Sequence, residues 1–253
     1  MTQLDRDGVR IYYEVVGHGP AVLLTHGFSA SAAMFAESVA TLAPTHTVIT
    51  WDIRGHGRSD YPSELSQYSA ELSVQDMLAI LDAHGLERAV IAGHSLGGYL
   101  SLSFHVAHPE RVAGLVLIDT GPGYRKPEPR AGWNAMAERF AADFDKRGLD
   151  ALGSSDEVDA DAHRDATGLV LAARGILVQR DATVIESLPS IAVPTLIIVG
   201  EHDTAFLDGS KYMAAKIPGA QLAVINGAGH APNIARPDEF DRVVAQFLEA
   251  HQL

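Results

Sequence analysis

A chain of 253 residues with 47% hydrophobic and 20% charged residues has an ordinary globular balance, which excludes a disordered polymer and suits an α/β domain of routine size. Acids outnumber bases by 32 to 19, a formal charge of −13, which argues against nucleic acid or an anionic membrane surface as partner, because both reward basic patches. There is no cysteine, so disulfides, thiolate metal sites and a cysteine nucleophile are excluded.

The opening stretch "MTQLDRDGVRIYYEVVGHGP" has no apolar core of signal-peptide length, and no later apolar run reaches the ~18 residues of a membrane-spanning helix. No membrane span and a cytoplasmic location are the expectations. "DRDG" at Asp5–Gly8 offers a turn ahead of a second strand at Val9–Val16, an antiparallel opening hairpin. Strand-like runs follow at Ala21–Thr25, Thr47–Trp51, Ala89–Ala92, Gly114–Ile118, Thr195–Val199 and Gln221–Ile225. The later ones ("GLVLI", "PTLIIV") are continuously apolar, as parallel strands buried on both faces require. Between them, Ala32–Leu42, Ala70–His84, Leu96–His108, Leu207–Lys216 and Pro237–Ala250 carry apolar residues at helical spacing. This alternation predicts an α/β fold: a mostly parallel, twisted sheet with helices on both faces. Gly121–Pro189 breaks it. That segment opens on the loop chemistry of "GPGYRKPEP" and then reads as helices near Ala131–Arg147 and Ala160–Gln179. It predicts a helical lid inserted after the sixth strand of a single domain, residues 1–253.

One short pattern carries chemistry. "IAGHSLGGYL" at Ile91–Leu100 sets Ser95 between Gly93 and Gly97, after a strand and before a helix that stops ahead of Pro109. A strand–turn–helix of this kind is a nucleophile elbow: the turn strains the serine backbone, excludes side chains at the flanking positions and lifts the hydroxyl to a helix N-terminus. A serine needs a base to take its proton. "NGAGHAPNIARP" supplies His230 on a glycine-rich loop after the last strand, and "IIVGEHDTAF" supplies Asp203 after the preceding one. The order Ser95, Asp203, His230 is that of a hydrolase triad on an α/β sheet. Asp119, ending "LVLID", is the rival for the acid.

With these motifs the chain resembles the α/β-hydrolase superfamily over nearly its full length. "THGFSAS" at Thr25–Ser31 resembles the family's oxyanion loop after the third strand. "WDIRGHGRSD" at Trp51–Asp60 resembles its turn after the fourth, in which Asp52, Arg54 and Ser59 are structural. Compact, lidded carboxylesterases and enol-lactonase-like hydrolases are the most similar branch. The resemblance implies a serine esterase or lactonase that attacks small-molecule esters through an acyl-enzyme. Ser95, Asp203 and His230 are then catalytic, the backbone N–H groups of Phe28 and Leu96 form the oxyanion hole, and no cofactor or metal is required.

Two other readings use the same triad: cleavage of carbon–carbon bonds in vinylogous diketones, and a receptor that retains the residues without turnover. The first wants cations for a substrate carboxylate, for which Arg125, Lys126, Arg130 and Arg174 of the insertion are candidates. Serine at the elbow argues against epoxide hydrolases and haloalkane dehalogenases, which use aspartate there. His105 and His108 stand three apart on a helix, but no third metal ligand accompanies them. His94 reads as a packed elbow residue and His202 as solvent-facing. In the insertion, Trp133, Met136, Phe140 and Phe144 fall on one helical face with Ala137 and Ala141. That stripe is expected to be covered by the body or to line an apolar substrate pocket, so that the insertion governs substrate choice while the chemistry lies outside it.

Overall fold

The computed structural model describes residues 2–253. Strand β1 (Thr2–Arg6) turns into β2 (Val9–Gly17) through Asp7 and Gly8, both at positive φ, and the Asp5 carboxylate accepts the Gly8 N–H at 2.9 Å. Then β3 (Ala21–Thr25), α1 (Ala36–Leu42), β4 (Thr47–Trp51), α2 (Ala70–Ala83), β5 (Ala89–His94), α3 (Leu96–Ala107) and β6 (Val112–Ile118) alternate. After β6 the chain leaves the sheet for α4 (Pro127–Arg147), α5 (Thr167–Gly175) and α6 (Thr183–Ser187). It returns through β7 (Thr195–Gly200), α7 (Leu207–Lys216), β8 (Gln221–Ile225), α8 (Pro232–Ala235) and α9 (Pro237–His251).

The strands form one sheet in the order β1-β2-β4-β3-β5-β6-β7-β8. Only β2 runs antiparallel to its neighbours, β1 and β4; the remaining pairs are parallel. Side chains of successive strand residues take opposite faces. Leu23, Ile49, Ile91, Leu117 and Ile197 share one core with α2, α3 and α7. Leu24, Val48, Val90, Val116 and Ile198 share another with α1 and α9. Burying each such side chain contributes roughly 1.5–3 kcal/mol, so a one-residue slip of any central strand would exchange both cores at once.

The motif after β4 is structural, as expected. The buried Asp52 carboxylate accepts the N–H of Ala32 at 2.7 Å and of Arg58 at 2.8 Å. Ser59 donates to the Asp52 carbonyl and accepts the Tyr12 N–H, and Arg54 grips the buried Asp76 carboxylate through two nitrogens at 2.6 and 2.8 Å.

Two expectations need correction. Ala160–Gln179 is not one helix. It is a 3-10 turn at Ala160–Ala162, an extended link, and α5. The Asp159 and Asp165 side chains accept the N–H groups of Asp161 and Thr167, which restarts the chain twice where a continuous helix would run. Phe144 leaves the pocket-facing stripe. It is buried with Ala141, Leu169, Val170 and Ala173 in a small core between α4 and α5. Among the described residues, no helix is long and apolar enough to cross a membrane.

Candidate active site

Four loops meet at the C-terminal edge of the sheet, where α/β folds place their sites. Ser95 stands between β5 and α3 with φ 51° and ψ −114°, a strained backbone for a residue with a side chain. Its N–H donates to the Ile118 carbonyl at 2.8 Å, and Thr120 donates to its carbonyl at 2.6 Å. Packing explains the flanking glycines. A Cβ on Gly93 would lie 2.2 Å from the Gly97 carbonyl carbon, and one on Gly97 would lie 2.1 Å from the Thr25 oxygen.

His230, after β8, and Asp203, after β7, are brought together by the same device. A Cβ on Gly200 would lie 2.0 Å from the Gly229 oxygen, so only glycine lets the two loops touch. His230 Nδ1 and Asp203 Oδ2 are 2.7 Å apart. With the carboxylate accepting from Nδ1–H, Nε2 is left as the free base. The ring stacks on Phe206 at 5.1 Å and lies over His94 at 4.7 Å. His94 is buried, donates from Nε2 to the His230 carbonyl at 2.6 Å, and is held neutral by burial, its pKa lowered to about 3. His202 faces solvent.

Asp119 lies beside this pair, fully buried at φ 42°. Its Oδ1 accepts the Gly200 N–H at 2.9 Å, while Oδ2 finds no donor. Ligand atoms of Asp119, Asp203 and His230 all fall within 4.8 Å of one another. Two carboxylates this close and this dry repel unless one holds a proton. Burial, and then the contact with Asp203, raise Asp119 to about 9. Burial also pushes Asp203 upward, but its hydrogen bonds with His230 and Asp119 outweigh that and lower its pKa. Burial thus favours the neutral form of Asp119, while the hydrogen bond from His230 favours the ionised form of Asp203.

Ser95 and His230 open onto a cavity of about 590 Å³ under the insertion. Phe28 and Leu96 line it, and among the described residues neither backbone N–H has an acceptor. For Leu96, the first residue of α3, that follows from its place in the helix. Trp133, Met136 and Phe140 also line the cavity, with Phe140 left 42% exposed at its rim against Phe28. The insertion's cations lie elsewhere: Arg125 faces Glu186 at 3.8 Å, Arg174 grips Glu138 at 2.8 Å, Arg130 donates to the Tyr124 carbonyl, and Lys126 is exposed. Several other residues line the cavity without being singled out by the sequence, Phe206 and Gln179 among them. Phe206 follows the acid by three positions, a signal available in the loop; Gln179 lay at the end of a wrongly drawn helix and gave none.

The comparisons with known proteins agree with this fold. A sequence model of the family described as "alpha/beta hydrolase fold" matches residues 20–152. A Bacillus subtilis protein provisionally named 2-succinyl-6-hydroxy-2,4-cyclohexadiene-1-carboxylate synthase is 31% identical, over 96% of each chain. 3-oxoadipate enol-lactonase 1 of Acinetobacter baylyi is 29% identical, over 98% of this chain and 96% of its own. The structure of a thermophilic esterase from Thermogutta terrifontis superposes with a TM-score of 0.84 at 26% identity, covering 100% of both chains. A match across more than half the chain, on a sheet and loops of this arrangement, makes the protein a member of the α/β-hydrolase fold family.

Proposed function

We propose that this chain hydrolyses carboxylic esters or lactones through an acyl-enzyme on Ser95. The observation that carries the reading is the His230–Asp203 hydrogen bond of 2.7 Å, opening onto the same cavity as a serine at positive φ. Ser95 Oγ attacks the substrate carbonyl as His230 Nε2 takes its proton. Asp203 holds the imidazole in that tautomer and stabilises the imidazolium. The negative oxygen of the tetrahedral intermediate is received by the N–H groups of Phe28 and Leu96, each worth roughly 3–4 kcal/mol in a comparable site. The proton passes to the leaving alcohol, and water activated by the same histidine releases the acid. The inserted helices act as a lid over the cavity, within one domain.

The family membership and the esterase and enol-lactonase among the relatives support hydrolysis. The carbon–carbon bond reading has less support in the cavity wall, where among the described residues no Lys or Arg stands to hold a dienoate carboxylate. The relatives whose names specify an oxoadipate or a carboxylate lend their chemistry here, not their substrates. A fluorophosphonate probe and a panel of nitrophenyl esters test the proposal. The probe is expected to add once per chain, at Ser95, and Ser95→Ala is expected to abolish labelling and turnover. Labelling that survives Ser95→Ala would remove Ser95 from the role, and a labelled protein that turns over no ester would favour a receptor.

A further inference from the structure

A second cavity, of about 330 Å³, adjoins the one that holds Ser95. Its lining is largely apolar: Ala70 and Val74 of α2, Val106 of α3, Val178, and Val184 of α6. Its charged lining residues, Glu71, Arg180 and Asp181, are all exposed, so the charge stands at the solvent side.

Two parts of the chain separate the cavities. One is a strap of backbone. From Leu177 to Arg180 successive residues alternate, with Leu177 and Gln179 lining the serine cavity and Val178 and Arg180 the second. Three hydrogen bonds from α4 pin this strap. The Trp133 indole donates to the Leu177 carbonyl at 2.8 Å, and the Asn134 amide accepts the Gln179 N–H and donates to its carbonyl at 2.8 and 2.9 Å. The other part is Tyr99, which among the described residues alone lines both cavities. It stands on α3, one helical turn beyond Ser95. One ring edge faces the serine cavity: a Cβ on Gly123 would lie 3.4 Å from Tyr99 Cε2. The hydroxyl senses the second cavity: burial first, then the charges of Asp181 and Glu71, raise its pKa to about 12.

The strap yields only if its hydrogen bonds break, whereas Tyr99 closes the wall with side-chain bulk. An acyl chain held at Ser95 and running along α3 meets that ring, with apolar surface beyond it. Ser103 lies one further turn along the same helix, lines only the second cavity, and donates to the Tyr99 carbonyl at 2.9 Å. We propose that Tyr99 is a specificity residue that ends the acyl site, keeping acyl chains out of the apolar cavity behind it and so favouring esters of short acids. The proposal rests on the hydrolase reading above.

Nitrophenyl butanoate and nitrophenyl dodecanoate test it. In Tyr99→Ala the dodecanoate-to-butanoate ratio of kcat/KM is expected to rise by about tenfold or more, since each methylene newly buried is worth a factor of roughly four. Tyr99→Phe keeps the ring and should keep the wild-type ratio. Ser103→Phe fills the second cavity from α3, so adding it to Tyr99→Ala should take most of the gain away, which separates joined cavities from a roomier serine cavity. Tyr99→Leu repeats the measurement if Tyr99→Ala folds poorly, and fluorophosphonate labelling of Ser95 checks every variant. The proposal is overturned by a ratio unmoved in the folded Ala or Leu variant, by a gain that Ser103→Phe does not reverse, or by an equal gain in Tyr99→Phe. The hydrolase reading is judged separately. It fails if the wild type turns over neither ester, or if Ser95→Ala turns over both as the wild type does. In the first case the rates at which short- and long-chain alkyl fluorophosphonates label Ser95 supply the same ratio without turnover.

Discussion

At the scale of single residues, the informative pair is Asp119 and Asp203. The pKa of the first is raised and that of the second lowered, and the reason is position. Asp203 has an imidazole as partner; Asp119 has one backbone N–H and a neighbouring carboxylate. Asn at 203 presents a neutral group to Nδ1 and no longer favours the tautomer that leaves Nε2 free, so Asp203→Asn is expected to lower kcat by about a thousandfold or more. Asn at 119 keeps an acceptor for Gly200 and a donor toward Asp203, much as the protonated acid does, so Asp119→Asn is expected to stay within about tenfold of wild type. Steady-state kinetics on one ester checks both, and a reversed order would make Asp119 the triad acid. Ser95, Asp203 and His230 are legible in the sequence as candidates because each sits in a loop with its own short signature, and the structure brings these loops to one edge of the sheet. The state of Asp119 is not legible, because it depends on a contact between loops 84 positions apart.

At the scale of elements, the insertion does two things. Helix α4 lays Trp133, Met136 and Phe140 along the cavity and buries Phe144 behind them, so one helical stripe splits between pocket and core. Helical spacing revealed the stripe but could not divide it, because the division is set by how α5 packs on α4. Phe140→Ala should therefore change relative kcat/KM between short and long acyl esters with less effect on stability than a core truncation, since the residue is already 42% exposed. Phe144→Ala should cost about 3 kcal/mol or more in urea unfolding and leave the acyl-length profile alone. A shift of profile in Phe144→Ala, with none in Phe140→Ala, would reverse the assignment. The insertion also reaches the loop after β3 that carries Phe28. His163, in the link before α5, pairs through Nε2 with the Ser29 carbonyl at 2.9 Å and accepts the Gly57 N–H on Nδ1 at 3.3 Å. Ser29 sits at φ 61°, next to Phe28, and needs such support. His163→Leu removes both bonds and is expected to cost about 1–3 kcal/mol of stability and to lower kcat on every ester by a common factor. A loss confined to long or short acyl chains would show that the link serves only the pocket.

At the scale of the molecule, the buried ionisable groups set a pH window for the fold. Burial is the largest cause lowering His26 to about 4, His94 to about 3 and His56 well below its ordinary value; His105 and His163 are lowered for the same reason. Each protonates near pH 6.5 once the chain unfolds. As pH falls through that value, unfolding takes up protons that the folded state refuses, and stability declines. Asp119 acts in the opposite sense. Its folded pKa of about 9 stands above the ordinary 3.8, so between those values the folded state holds one proton more, and stability declines as pH rises. Asp203 and Asp60, both lowered, withdraw their contributions only below the ordinary carboxylate range, outside this window. Near pH 5.5 the three strongly shifted histidines bind almost three protons on unfolding, against one released by Asp119. The net uptake of about two protons gives a slope of roughly 3 kcal/mol per pH unit. Near pH 8 the histidines no longer contribute and Asp119 alone gives roughly 1.4 kcal/mol per unit of the opposite sign. The expected outcome is a stability maximum close to pH 7 that falls on both sides, measured by urea unfolding at pH 5.5, 7 and 8.5 with a constant denaturant slope. Asp119→Asn should keep the acid limb and lose the alkaline one. A variant whose alkaline limb is as steep as wild type would mean that Asp119 is ionised in the folded protein.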